Sequence, residues 1–250
     1  MHIKCTWGTC IEHIHTHMHA HSPHMHARLR THNQNDVTGQ VQSGSTRRLV
    51  FAFTGWKEPT MPEGCGRALV IPRDLTLLGS DLMVAPIPEV AVLRVPASHL
   101  VARAAASGSG AIAAGSQVEV QLLCRIGAAP WPTTGKTGIR TLSTADGTQY
   151  TEIGYDWATQ HFYVDHSHCC SATPRALLQT APLPVANLGS SLNMTVYVDG
   201  GLIESFLKGK VITPLVAPDP LAALPEARVT TVLETSGGVT CSVESWQLAY

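Results

Sequence analysis

The chain has 250 residues, of which 14% are charged, and a formal net charge of -1. This near-neutral surface gives no attraction for nucleic acid or an anionic membrane, so neither is expected as a partner. No apolar run reaches the roughly 18–20 residues that cross a bilayer.

Residues 1–44 form the first segment, and they differ from the rest. Nine of the thirteen histidines fall between His2 and His32. His13, His15, His17, His19 and His21 alternate with Ile14, Thr16, Met18 and Ala20. Alternating imidazoles suit a metal-binding tract or a strand with one histidine face. They also suit a CA-type dinucleotide repeat read in triplets. So polar a tract buries too little apolar surface to offset its ordering entropy, so 1–44 is expected to be disordered. Met1–Cys10 lacks the apolar core of a secretory signal.

Strand patterning starts near Arg47. Arg48–Gly55 and Arg67–Ile71 read as strands, joined by a Pro- and Gly-bearing connection. Asp81–Arg94 holds Pro86 and Pro88, which cannot donate to a ladder, so it reads as linker or edge strand. Ala102–Gly115 reads as a short helix and then a flexible loop. After Ser116 the period is two. Val118, Val120 and Leu122 alternate with Glu119 and Gln121.

Further strands are expected at Gly138–Leu142, Tyr150–Tyr155 and His161–Asp165. Leu192, Met194, Val196 and Val198 share one face of another. Gly200-Gly201 suits a two-residue hairpin turn in which both residues take positive φ, and Leu202–Leu207 returns. Val229–Leu233 and Val239–Tyr250 end the chain. Many short strands and little helix predict an all-β sandwich or barrel.

Seven cysteines show no paired metal-ligand spacing. They read mostly as small buried apolar residues or free thiols. A disulfide from Cys124 to Cys169 or Cys170 is the oxidising-compartment alternative. His166 and His168 stand beside Cys169 and Cys170, but adjacent strand positions point to opposite faces, which disfavours a shared site. No metal and no cofactor are expected. Asn193-Met-Thr195 is a formal glycosylation acceptor inside a strand.

Several segments resemble glycoside hydrolase family 32, the invertase, inulinase and fructanase group. Gly66-Arg-Ala-Leu-Val-Ile-Pro72-Arg73-Asp74-Leu resembles the family's Pro-Arg-acidic-Leu signature at the end of its last propeller strand. Pro86, Glu89, Leu93 and Arg94 match the Pro…Glu…Leu-Arg pattern beyond it. Gly154-Tyr155 and Val164-Asp165-His166-Ser167 resemble a Gly-Tyr and Val-Asp-Arg-Ser run, with His166 where Arg is usual. Val196-Tyr-Val-Asp199-Gly-Gly-Leu-Ile-Glu204-Ser-Phe206 resembles a hairpin of the family's sandwich. Ile212-Thr213 and Val243-Glu-Ser-Trp246-Gln-Leu248 also fit.

The resemblance spans about residues 46–250 and implies a two-sheet antiparallel, concanavalin-like β-sandwich. It implies a disordered tail over 1–44, a remnant of the last propeller blade and junction over 45–78, and the C-terminal sandwich over 79–250. The blade remnant is expected to be loosely held or to lie against the sandwich. The family hydrolyses β-fructosides such as sucrose, inulin and levan with two opposed carboxyl groups. Its nucleophile motif Asn-Asp-Pro has no match, since Asn35-Asp36 precedes Val37. Arg73-Asp74 precedes Leu75 rather than Pro, and no Glu precedes a Cys.

The resemblance therefore implies a non-catalytic fragment of a β-fructofuranosidase-type glycosidase. Its partner would be the propeller domain of the parent enzyme, acting on sucrose or fructan. The family is secreted, cell-wall or vacuolar. The alternative is a free-standing lectin-like module, with Trp131 between two prolines as the sugar-stacking residue. Pro72, Arg73, Asp74, Glu89, Arg94, Asp165, Asp199, Glu204 and Trp246 are expected to be structural. Asp199 is expected to bond nearby backbone N–H groups, and Glu204 to pair with a basic residue.

Overall fold

In the computed structural model, residues 35–41, 47–55, 67–104, 115, 117–126, 130–144, 147–169, 178–214, 216, 229–232 and 239–249 are described. The chain is all-β. The first sheet, here the blade sheet, contains β1 (Asn35–Val41), β2 (Arg48–Gly55), β3 (Arg67–Leu69), β4 (Arg73–Leu78) and β5 (Asp81–Pro86). Its order is β1-β2-β4-β5, with β3 on β2. The expected disorder of 1–44 is thus wrong for Asn35–Val41, which pairs antiparallel with β2 from Asn35↔Thr54 to Val41↔Arg48. The pairing supplies backbone partners that composition does not count. The histidine tract lies outside the described residues. The expected boundary after residue 78 falls between the two arms of the β4–β5 hairpin.

Two 3₁₀ turns, Pro88–Leu93 and Pro96–Ser98, lead into β6 (Leu100–Ala104). The expected helix from Ala102 is overturned here, because β6 pairs with the last strand from Leu100↔Ser245 to Ala104↔Cys241. Then follow β7 (Gln117–Ile126), β8 (Lys136–Ser143), β9 (Thr151–Asp156), β10 (His161–Asp165) and β11 (Leu178–Pro182). The remainder are β12 (Ser191–Asp199), β13 (Leu202–Leu207), β14 (Lys210–Ile212), β15 (Val229–Val232) and β16 (Val239–Gln247).

Eleven of these strands make the sandwich. The outer sheet runs β11-β10-β9-β8-β15 and the inner sheet β14-β13-β12-β7-β16-β6. Every pairing is antiparallel. The core lies between them. Val118, Val120 and Leu122 of β7 meet Leu192, Met194, Val196 and Val198 of β12, and Ile153, Tyr155, Phe162 and Val164 face them from the outer sheet. This is the apolar-in alternation that period two dictates.

The β12–β13 turn departs from expectation. Only Gly200 takes positive φ, at 57°. Gly201 is needed for space, since a Cβ there would stand 2.2 Å from the Val216 carbonyl oxygen.

Cysteine pairing also departs. Cys124 of β7 bonds Cys241 of β16, directly across the inner sheet. The bridge from Cys124 to Cys169 or Cys170 is therefore excluded. Cys169 is also disulfide-bonded. Three of the cysteines are thus neither thiols nor simple apolar fillers.

Candidate functional site

The inner sheet is covered on both faces. Its outward face carries a cross-strand row, Glu204, Tyr197, Glu119 and Trp246, one residue from each of four neighbouring strands. Tyr197 pairs with Glu204 on one side and Glu119 on the other, and Glu119 pairs with Trp246. A solvent-facing row of this kind would be hydrated. Here Glu204 is 1% exposed and Glu119 0%. The cover is the segment from Ile71 to Val95. Ile71, Val84, Ile87, Val90 and Leu93 pack with Tyr197, Phe206, Val211 and Leu248 into a second apolar cluster.

Buried carboxylates need charge partners and hydrogen bonds, and the covering segment provides both. Arg73 Nη2 donates to Glu204 Oε2 at 2.8 Å and to Thr213 Oγ1 at 2.8 Å. The Ile71 backbone N–H donates to Glu204 Oε1 at 2.6 Å. Arg73 also stands 5.7 Å from the Phe206 ring centroid. Burial pushes the Glu204 carboxyl above the usual carboxylate range, while the Arg73 charge opposes that.

Arg94 grips Glu119 with both ends of its fork, Nε to Oε2 at 2.8 Å and Nη2 to Oε1 at 2.6 Å. The Glu119 hydrogen bond raises the already high Arg94 pKa further. The Arg94 guanidinium lies 4.1 Å from the Trp246 ring, and His99 stacks on the same indole at 4.6 Å. Backbone bonds continue the seam: Val95 N–H to Gln247 O and Ala249 N–H to Leu93 O, each 2.9 Å.

A third basic residue closes the upper edge. Arg47 donates through Nε to Asp74 at 3.0 Å and through Nη2 to Glu89 at 3.1 Å. The Arg47 hydrogen bond holds the Glu89 carboxyl down to about 2. Below, β5 meets the β13–β14 turn, where Val84 N–H bonds Gly209 O at 3.1 Å. Gly209 has φ +77°, and a Cβ there would press on Met83 Cε at 2.4 Å. The glycine is what lets this strand come so close.

Seven of the expected structural residues thus gather at one seam: Pro72, Arg73, Asp74, Glu89, Arg94, Glu204 and Trp246. Pro72 also accepts from Ile87 N–H at 3.1 Å. Asp199 lines the same small cleft of about 180 Å³ as Glu204. Its side chain accepts from Gln117 Nε2 at 3.1 Å, rather than from backbone N–H groups. Asp165 stands apart and accepts from Ser167 N–H at 3.0 Å. Both Glu204 oxygens are committed to Arg73 and Ile71, so this carboxyl holds a structure together and is not free for proton transfer.

Trp131 lies elsewhere, half-buried against Trp157. Asn193 is exposed on β12. Among the described residues no group of three His, Cys, Asp or Glu side chains is placed to hold a metal, and no helix is long and apolar enough to cross a membrane.

The sequence model of the family described as "Glycosyl hydrolases family 32 C terminal" matches residues 90–247. The chain belongs to that family. The matched range takes in Arg94, Glu119, Glu204 and Trp246, so the seam of this family 32 C-terminal domain is part of what the match covers. No curated protein matches the chain.

Among solved structures, exo-inulinase from Aspergillus awamori is similar at TM-score 0.65 and 19% identity, over 85% of this chain and 42% of that one. Fructan 1-exohydrolase IIa from Cichorium intybus, solved with 1-kestose, gives TM-score 0.68 and 14% identity, over 85% and 47%. Sucrose-6-phosphate hydrolase from Lactobacillus gasseri gives 0.61 and 16%, over 81% and 39%. The chain spans less than half the length of each of these structures. At these identities the likeness is one of fold.

The sequence did not mark Glu119, Tyr197, Thr213 or Arg47 as site residues. Glu119 and Tyr197 sit where alternation puts solvent-facing side chains, and only the covering segment makes that face an interior. A carboxylate repeatedly flanked by large apolar residues, as Glu204 is in Leu-Ile-Glu-Ser-Phe, was the one local signal of burial.

Proposed function

We propose that this chain is the non-catalytic sandwich of a β-fructofuranosidase-type glycosidase, whose work is to hold and steady a catalytic propeller. The observation that carries this is the buried Arg73–Glu204–Thr213 cluster, which fixes a strand of the blade sheet to the sandwich. A strand so held is a rigid template for blades that pack on it. Leu69, Leu77 and Leu78 stand 55%, 62% and 68% exposed on that sheet, as apolar side chains awaiting a neighbour do. The parent substrate would be sucrose or a fructan, the class named for the similar enzymes. The reaction would need two opposed carboxyl groups, which the propeller would supply.

Two incubations test the reading. The purified chain alone, given sucrose and inulin, is expected to release no fructose. Mixed with the separately expressed propeller of a family 32 enzyme, it is expected to associate and raise that propeller's melting temperature. Turnover by the chain alone, retained after further purification, defeats the proposal. So does failure to associate with the propeller.

A further inference from the structure

A different part of the sandwich carries a site of its own. Three aromatic rings lead from the core to the surface. Tyr155, fully buried, meets Trp157 edge-on at 4.7 Å, and Trp157 in turn stacks on Trp131 at 5.1 Å and 20°. Each indole is pinned by its N–H: Trp157 Nε1 donates to Thr137 Oγ1 at 2.8 Å, and Trp131 Nε1 to Gly189 O at 3.0 Å. The outermost ring therefore has a fixed orientation before any ligand arrives, which cuts the ordering cost of binding.

Trp131 and Trp157 line an open cleft of about 470 Å³. That lies within the roughly 300–1,000 Å³ of small-molecule sites. Pro130, Pro132, Thr133, Gln160 and Val185 supply most of the remaining wall, and among the described residues no charged side chain lines it. Gln160 is held in a left-handed turn at φ 56°, with its side-chain oxygen accepting from Val185 N–H at 3.0 Å. Among the described residues nothing accepts from its two amide N–H donors, which leaves them for a ligand, and the Thr133 hydroxyl adds a donor and acceptor.

We propose that this cleft binds a fructosyl unit of a neutral oligosaccharide. A sugar ring offers an apolar C–H face bordered by hydroxyls, which fits one indole platform with a sparse polar rim. The uncharged lining favours a neutral ligand over a sugar phosphate. The fructosyl assignment rests on the reading proposed above, whereas sugar binding at Trp131 does not. The site would hold a fructan chain on the sandwich.

The test uses the whole chain and nystose, a neutral fructosyl tetrasaccharide, with no propeller present. Titration calorimetry is expected to show saturable binding. Trp131→Ala is expected to weaken it at least tenfold at a temperature where the variant is still folded, and Gln160→Ala severalfold. If Trp131→Ala fails to fold, the indole N–H resonances of the parent decide: that of Trp131 should shift with nystose and that of Trp246 should not. No saturable binding, unchanged affinity in both variants, or an unmoved Trp131 resonance overturns the proposal. Equal binding of isomaltotetraose overturns the fructosyl assignment. Propeller association is measured separately, so either reading can fail while the other stands.

Discussion

Removing Arg73 should destabilise this chain strongly, whereas removing the whole ion pair should not. Arg73→Met leaves the Glu204 carboxylate buried at 1% exposure with only the Ile71 N–H for company. Breaking a buried pair from one side typically costs about 3–5 kcal/mol. Against a total stability of roughly 5–15 kcal/mol, that is from about a fifth to all of it. With a urea slope near 2 kcal/mol/M, the midpoint should fall by about 2 M. Glu204→Gln removes the counter-charge of the buried Arg73 guanidinium but leaves it the Thr213 hydroxyl and an amide oxygen as acceptors, so it should also destabilise, by less than Arg73→Met. The double variant Arg73→Met/Glu204→Leu replaces charge with apolar volume and should recover most of the loss. Glu204 also adds a pH dependence. Its folded pKa lies above its ordinary value of 4.5, so the folded state binds more protons in that window. Its contribution to stability therefore falls as pH rises from 4.5 through the folded pKa, and Glu204→Gln should abolish that slope. Urea unfolding followed by tryptophan fluorescence reads all of these. Single variants within 1 kcal/mol of the parent would refute the reasoning, as would a double variant as weak as the worse single.

Arg94→Ala leaves the buried Glu119 without its charge partner, with the Gln121 amide at 2.8 Å still donating to it, and uncovers Trp246; it should destabilise by about 1–3 kcal/mol and red-shift the fluorescence, and an unshifted spectrum contradicts the seam. Glu89 should titrate near 2 rather than 4.5 in a carboxyl carbon NMR titration. Its folded pKa is lowered, so its contribution to stability is present above 4.5 and is lost as pH falls through about 2, and Arg47→Ala should return the midpoint toward 4.5. The double variant Cys124→Ala/Cys241→Ala opens a loop with a sequence separation of 117 residues, at a chain-entropy cost of about 5 kcal/mol. Unfolding in denaturant without reductant checks it. Gly201→Ala forces a Cβ against the Val216 oxygen and should cost about 1–3 kcal/mol, measured as a midpoint shift.

What could be read from the sequence was whatever is encoded locally. The Leu192–Val198 face, the Gly-Gly turn after Asp199 and the return strand depend on period two and on turn chemistry, both visible within a dozen residues. The seam was legible only in pieces. Arg73, Arg94 and Glu204 stood out by resemblance, but their partners depend on which strand lies opposite which. The Glu119–Trp246 neighbourship depends on the β7–β16 register, set by residues more than a hundred positions apart. The same register puts Cys124 opposite Cys241, which spacing alone does not reveal. β1 escaped notice because its partner, β2, supplies what its own composition lacks. Ala102–Ala104 read as helical from small residues, yet a free edge on β16 took it as a strand, a tertiary choice over a weak propensity.

The Cys124–Cys241 bond has a consequence for a nicked chain. It joins the first long strand of the sandwich to the last, so one cut in any intervening loop yields two pieces that stay covalently attached. A protease-treated sample would run at full mass on a non-reducing gel and split only when thiol is added. Damage to those loops would thus stay hidden until the molecule met a reducing environment.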